Sequence, residues 1–155
     1  MPPASAGQMM FERFDEDALK AFLAAQEFAR QFEHREMEPT HLLLGLLNEE
    51  WYTSAQIILW LGFSTSDIRD AVTAVLLPGV GGARGGHIPL GAAMIRTLKL
   101  SEKETKRLRD ARIGTEHLLL GVLREDKSRA ARVVNGIGID HGAAVNALKA
   151  YRATA

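Results

Sequence analysis

The chain has 155 residues, 46% hydrophobic and 25% charged, with Lys+Arg and Asp+Glu balanced at 19 each. That length suits one domain able to bury about two-thirds of its unfolded surface, and a formal net charge of zero lacks the basic excess of a nucleic-acid binder. The absence of cysteine excludes disulfides and thiolate chemistry, and no apolar run approaches the roughly 20 residues of a membrane span.

Residues 1–9 read as a disordered leader without the charged and apolar regions of a secretory signal, which makes the cytoplasm the default compartment. Asp15 is the predicted N-cap of a helix over Glu16–Gln31, with Glu16 and Asp17 at the positive end of its dipole. Leu19, Phe22 and Leu23 give that helix an imperfect apolar stripe, and Phe28 and Phe32 add bulk. Leu42–Leu47 is apolar almost all round, as expected of a helix buried in a bundle. A third helix over Ser54–Leu61 stops at Gly62, and Ser64 with Asp67 opens a fourth that runs to about Leu76.

Pro78 breaks this pattern, and the glycine-rich residues 78–87 read as a linker. The linker has no Gly-Lys-Ser/Thr and no in-register Gly-x-Gly-x-x-Gly, and it follows a helix instead of a strand, so it is not a phosphate loop. Helices are then predicted over Leu90–Arg109, Thr115–Arg124, Ser128–Ile137 and Asp140–Tyr151, with 152–155 as a tail. Gly138 matches Gly62 as a helix stop, and Asp140 caps the last helix.

The chain says one thing twice. His41–Leu47 recurs as His117–Leu123. Carried on to Gly62 and Gly138, the copies agree at His41, Leu42, Leu43, Leu44, Gly45, Leu47, Glu49, Ala55 and Gly62. A duplicated unit of this length predicts an all-α fold of two pseudo-twofold repeats, four helices each, at about 10–77 and 88–151.

Chemistry is sparse. His41 and His117 hold the same repeat position without another His or Cys at ligand spacing, and read as core histidines bonded to backbone. No nucleophile elbow is present. Lys99–Arg112 carries six basic residues but also Glu102, Glu104 and Asp110, the pattern of a solvated helix face. Neither a catalytic centre, a metal site nor a cofactor is expected. Trp51 and Tyr52 fall in a predicted loop, either as partner contacts or packed against Trp60 or the leader.

The run Gly114-Thr115-Glu116-His117-Leu118-Leu119-Leu120-Gly121, with Met10-Phe11-Glu12-Arg13-Phe14 and Gly86-His87-Ile88-Pro89, resembles the double Clp N-terminal domain of Hsp100 unfoldases of the ClpC type. The resemblance spans about 10–151. It implies an eight-helix domain that recruits clients and adaptors to a AAA+ ring feeding the ClpP protease, without catalysis of its own. No Walker motif is present, so the chain resembles a stand-alone Clp N-domain protein or an excised N-domain. The leader and the stop after the last helix favour the stand-alone form.

In ClpC-type domains the Glu of each Gly-Thr-Glu-His motif can hold the guanidinium of phosphoarginine, a degradation mark on clients. By resemblance Thr115 and Glu116 form such a site in the second repeat, whereas Thr40 replaces the Glu in the first. Glu116 has an alternative role as a first-turn acid favoured by the helix dipole. The family's second surface, where adaptors and peptide antibiotics dock, maps to Phe11 and to Leu90, which stands where ClpC proteins often carry Phe. Phe11 could equally serve as a hydrophobic staple for the leader. These features point to an interaction module acting as adaptor or decoy for a ClpC–ClpP machine. A structural accessory subunit docking on the Clp core is the alternative.

Overall fold

Capping and stop signals position the helices. In this computed structural model, which describes residues 10–79 and 87–154, a helical turn at residues 10–12 precedes eight longer helices. They are α1 (Glu16–Gln31), α2 (Pro39–Leu46), α3 (Thr53–Trp60), α4 (Thr65–Ala74), α5 (Ala92–Arg107), α6 (Thr115–Arg124), α7 (Arg129–Ile137) and α8 (His141–Thr154). The leader 1–9 and most of the linker lie outside the described residues. Asp15 Oδ1 accepts from the Ala18 N–H at 2.8 Å, and Asp140 Oδ1 from the Ala143 N–H at 2.8 Å. Ser64 and Ser128 cap α4 and α7 in the same way. Gly62 and Gly138 adopt φ of +88° and +114° after α3 and α7, a conformation that side chains resist.

Three expectations shift. Helix α2 begins at Pro39, whose fixed φ suits a first helical position. Helix α8 continues through Arg152 to Thr154, so most of the expected tail is helical. The stripe of α1 also differs: its buried residues are Ala18, Ala21, Phe22, Ala25 and Ala29, while Leu19 and Leu23 face solvent. The cause is close approach. A Cβ on Gly45 of α2 would collide with the Ala21 carbonyl oxygen, so only small residues fit at that crossing.

Helices α2 and α6 are buried along almost their whole length and form the centre of the core. Around them the repeats exchange their lead-in segments. Phe14, before α1, bridges to Ile113, before α6; Leu90, before α5, bridges to Met37, before α2. These two bridges are pseudo-twofold equivalents. The first is made by Asp15 N–H to Ile113 O and Ile113 N–H to Arg13 O, both 2.9 Å. The second is made by Gly91 N–H to Met37 O and Met37 N–H to Pro89 O, also both 2.9 Å. Arg112 adds a bond from its guanidinium to the Phe14 carbonyl at 2.7 Å. No described helix is long and apolar enough to cross a membrane.

Candidate peptide-binding surfaces

The crossing of the lead-in segments decides where the aromatic opening sits. It brings Phe11 and Leu90, far apart in sequence, into one pocket of about 380 Å³ with Met10, Ile95, Leu98, Lys99 and Glu102. Phe11 is half-buried, its ring 4.8 Å from that of Phe22 and 5.2 Å from that of Phe14. Rings of the core lie against Phe11, which also lines the pocket. Ile95 contributes exposed apolar surface. At the rim Glu102 pairs with Arg13 and Lys106, each at 3.4 Å. An apolar floor with a few charges at its edge suits a small cluster of ligand side chains.

A different chemistry gathers at the start of α6. Glu116 is the second residue of that helix, and its side chain is 15% exposed. Its carboxylate folds over Gly114, where a Cβ would collide with Glu116 Oε1 and approach Asp15 Oδ2 to 2.9 Å. The glycine makes room for the acid. From α8, an Arg152 guanidinium nitrogen reaches Glu116 Oε2 at 3.3 Å and Asp110 Oδ2 at 2.8 Å. Asp110 Oδ2 also lies 2.7 Å from His117 Nε2. Because His117 Nδ1 accepts the Gly114 N–H at 2.8 Å, Nε2 carries the proton of the neutral ring and donates to Asp110.

Burial alone would raise the Asp110 pKa, but bonds from Arg152 and His117 hold it below the ordinary carboxylate value. Asp15 goes the other way: burial raises it, the Ala18 N–H opposes, and the charge of Glu116 adds to the rise.

The sequence profile of the Clp repeat (R) N-terminal domain matches residues 13–137. The chain belongs to this Clp N-domain family. It is 39% identical over 131 residues to the chloroplastic chaperone protein ClpC of Pisum sativum, covering 84% of this chain and 14% of that protein. A ClpA homolog from Guillardia theta is 38% identical over the same share of the chain and 16% of its own length. The chain therefore spans a small part of the curated relatives it matches. Among solved structures, the N-terminal domain of ClpD from Arabidopsis thaliana superposes with a TM-score of 0.66 at 23% identity, covering 92% of this chain and 99% of that one. A ClpV N-domain solved in complex with a VipB peptide superposes at 0.74 with 14% identity, over 92% and 88% of the two chains. These likenesses show a shared fold.

Within this Clp N-domain several sequence expectations need correction. Thr115 is buried, and its hydroxyl accepts the Ser54 N–H at 3.1 Å, so that side chain ties the repeats together and is not free for a ligand. Tyr52 is buried, the packed alternative of the two, while Trp51 is 66% exposed. Both histidines are buried and bonded to backbone as expected, and each has a further side-chain neighbour. His41 Nε2 lies 2.7 Å from His34 Nδ1, seven residues back, just as Asp110 lies seven before His117. His41 Nδ1 accepts the Glu38 N–H at 2.9 Å, and burial with the nearby His34 lowers the His41 pKa to about 4. Among the described residues no group of three or more His, Cys, Asp and Glu is arranged to hold a metal.

The basic stretch is not merely a solvated face either. Glu104 is 0% exposed and pairs with Arg107 at 2.9 Å, Arg124 at 3.0 Å and His141 at 3.0 Å, joining α5, α6 and α8. A carboxylate recurring among basic residues on the inward side of α5 was the available signal for it.

Proposed function

We propose that this chain is a non-catalytic protein-interaction module that binds client or adaptor proteins and modulates a ClpC–ClpP type protease in the cytoplasm, as adaptor or decoy. The observation that carries this reading is the meeting of Phe11 and Leu90 in one apolar pocket with a charged rim. A peptide segment with one or two apolar side chains and a charge matches that lining, and peptide antibiotics would compete for it. The ClpV neighbour solved with a VipB peptide and the ClpC relatives support a recruiting role. The carboxylate of Glu116 offers a second contact, suited to the guanidinium of an arginine-phosphorylated client.

Binding of a fluorescently labelled unfolded casein, followed by polarisation, tests the main reading. Ile95→Glu should leave the far-UV spectrum and melting temperature unchanged and weaken binding at least tenfold, because Ile95 is already solvent-facing. Unchanged affinity in that variant would remove the pocket from the reading. Exposed Trp51 and Trp60 favour a second role, docking as an accessory subunit on a Clp core. That role predicts co-migration with ClpP rings that Trp51→Ala disrupts and Glu116→Ala does not.

A further inference from the structure

The two repeats differ at three equivalent positions in a concerted way. Where the second repeat carries Asp110, Glu116 and Arg152, the first carries His34, Thr40 and Leu76. The second set meets in space: one Arg152 nitrogen bonds both carboxylates. In the first set Thr40 and Leu76 are buried and uncharged, and His34 instead lies 2.6 Å from the Leu77 carbonyl. The three first-repeat positions thus hold no ion pair, whereas the second repeat has a carboxylate pair with a guanidinium already seated on it.

We propose that Arg152 is an internal occupant of the Glu116 site, so that an arginine side chain from a partner must displace it and the last turn of α8 gates access. The proposal rests on the reading of Glu116 as a ligand-binding carboxylate and adds a regulatory residue to it. Arg152 shows the chemistry the site accepts, because its own guanidinium is what the two carboxylates hold. Its grip is moderate. The Arg152 side chain is 38% exposed, those of Asp110 and Glu116 are 28% and 15% exposed, and the Glu116 bond is long at 3.3 Å. Water can therefore replace either contact. Asp15 contributes a third carboxylate at the same spot, so one guanidinium leaves the site with an excess of negative charge. A cation arriving from solvent is attracted even while Arg152 is seated. A displaced Arg152, on a long flexible stem, can swing toward the phosphoryl group of a phosphorylated ligand or into solvent.

Calorimetric titration of the full chain with arginine amide and with phosphoarginine tests this, using wild type, Arg152→Gln, Arg152→Met and Arg152→Gln/Glu116→Gln. Both single variants should bind arginine amide about fivefold more tightly than wild type, the gain expected when a partly exposed ion-pair competitor is removed. The added Glu116→Gln change should abolish binding. A melting curve on each protein checks folding, and two different replacements guard against a local defect of one. Equal affinity in wild type and the Arg152 variants overturns the gate while leaving Glu116 as a ligand site. Weaker binding in those variants also overturns it, since Arg152 would then assist the ligand. No heat with any protein defeats the Glu116 reading itself, and the gate falls with it.

Discussion

The backbone N–H of Ser54, in the first turn of α3, donates to the hydroxyl of Thr115, the first residue of α6, at 3.1 Å. The contact crosses from one repeat to the other and has no pseudo-twofold mate, because the equivalent positions hold Ala130 and Pro39. Duplication supplied the frame, and single substitutions then fastened the halves asymmetrically.

Thr115→Val keeps the shape and removes the acceptor. Ser54 and Thr115 are both buried, so the orphaned N–H should cost about 1–3 kcal/mol. Urea denaturation should show a lower midpoint at unchanged slope. An unchanged midpoint would mean that Ser54 finds another acceptor.

The central helices predict an order of damage between two alanine substitutions. At Gly45 the three nearest obstacles are all backbone atoms of α1, including the Ala21 carbonyl oxygen. At Gly121 the first obstacle is the Ser101 hydroxyl, a side chain able to rotate, followed by the Thr97 carbonyl oxygen at 2.7 Å. Overpacking costs about 1–3 kcal/mol or more, against a helix-propensity gain of about 1 kcal/mol. Gly45→Ala should therefore lower the melting temperature more than Gly121→Ala. The reverse order would show that α1 slides more easily than Ser101 rotates.

Much of this architecture is legible locally. Asp15, Ser64 and Asp140 announce helix starts because their caps act within three residues, and Gly62 and Gly138 announce stops because only the chain's own conformation is at stake. Non-local consequences are what the sequence hides. Leu19 and Leu23 outrank alanine on any hydrophobic scale, yet the approach of Gly45 selects alanine for the buried face of α1. The exchange that pairs Phe14 with Ile113 and Met37 with Leu90 depends on backbone bonds without a side-chain signature. The family resemblance already puts Phe11 and Leu90 on one surface, whereas the physical reason they meet, the backbone exchange, has no signature in either residue. Arg152 falls in the expected tail, yet no Gly or Pro after Tyr151 stops the helix, which runs on to Thr154.

Acid should weaken the fold first through His41. Burial, with His34 nearby, lowers its pKa from 6.5 to about 4. The unfolded chain then binds a proton at higher pH than the folded one. Stability conferred by the neutral ring is present above about pH 6.5 and is lost progressively down to about pH 4, by roughly 3 kcal/mol in all. Two-dimensional NMR of the imidazole carbons should show His41 unshifted between pH 7.5 and 5.5. A midpoint near 6.5 for that ring would remove it as the source of acid sensitivity.

A second acid step should come from Glu104, in a lower window. Its burial would raise its pKa, but bonds from Arg124 and Arg107 and the nearby His141 hold it below the ordinary 4.5. For a carboxylate with a depressed folded-state value, stability is full above 4.5 and is lost as pH falls through the lower folded value. Glu104→Gln should remove this lower step and leave the His41 step in place. At neutral pH the substitution should cost about 1–3 kcal/mol. That is less than for a wholly buried pair, because the Arg107 and Arg124 side chains are 54% and 39% exposed and can turn to water. Urea midpoints of wild type and Glu104→Gln, measured from pH 7 down to 3, separate the two steps. If the variant's curve parallels wild type below pH 4.5, the buried carboxylate is not the group being titrated, and the low-pH loss has to come from the exposed acids at the helix starts.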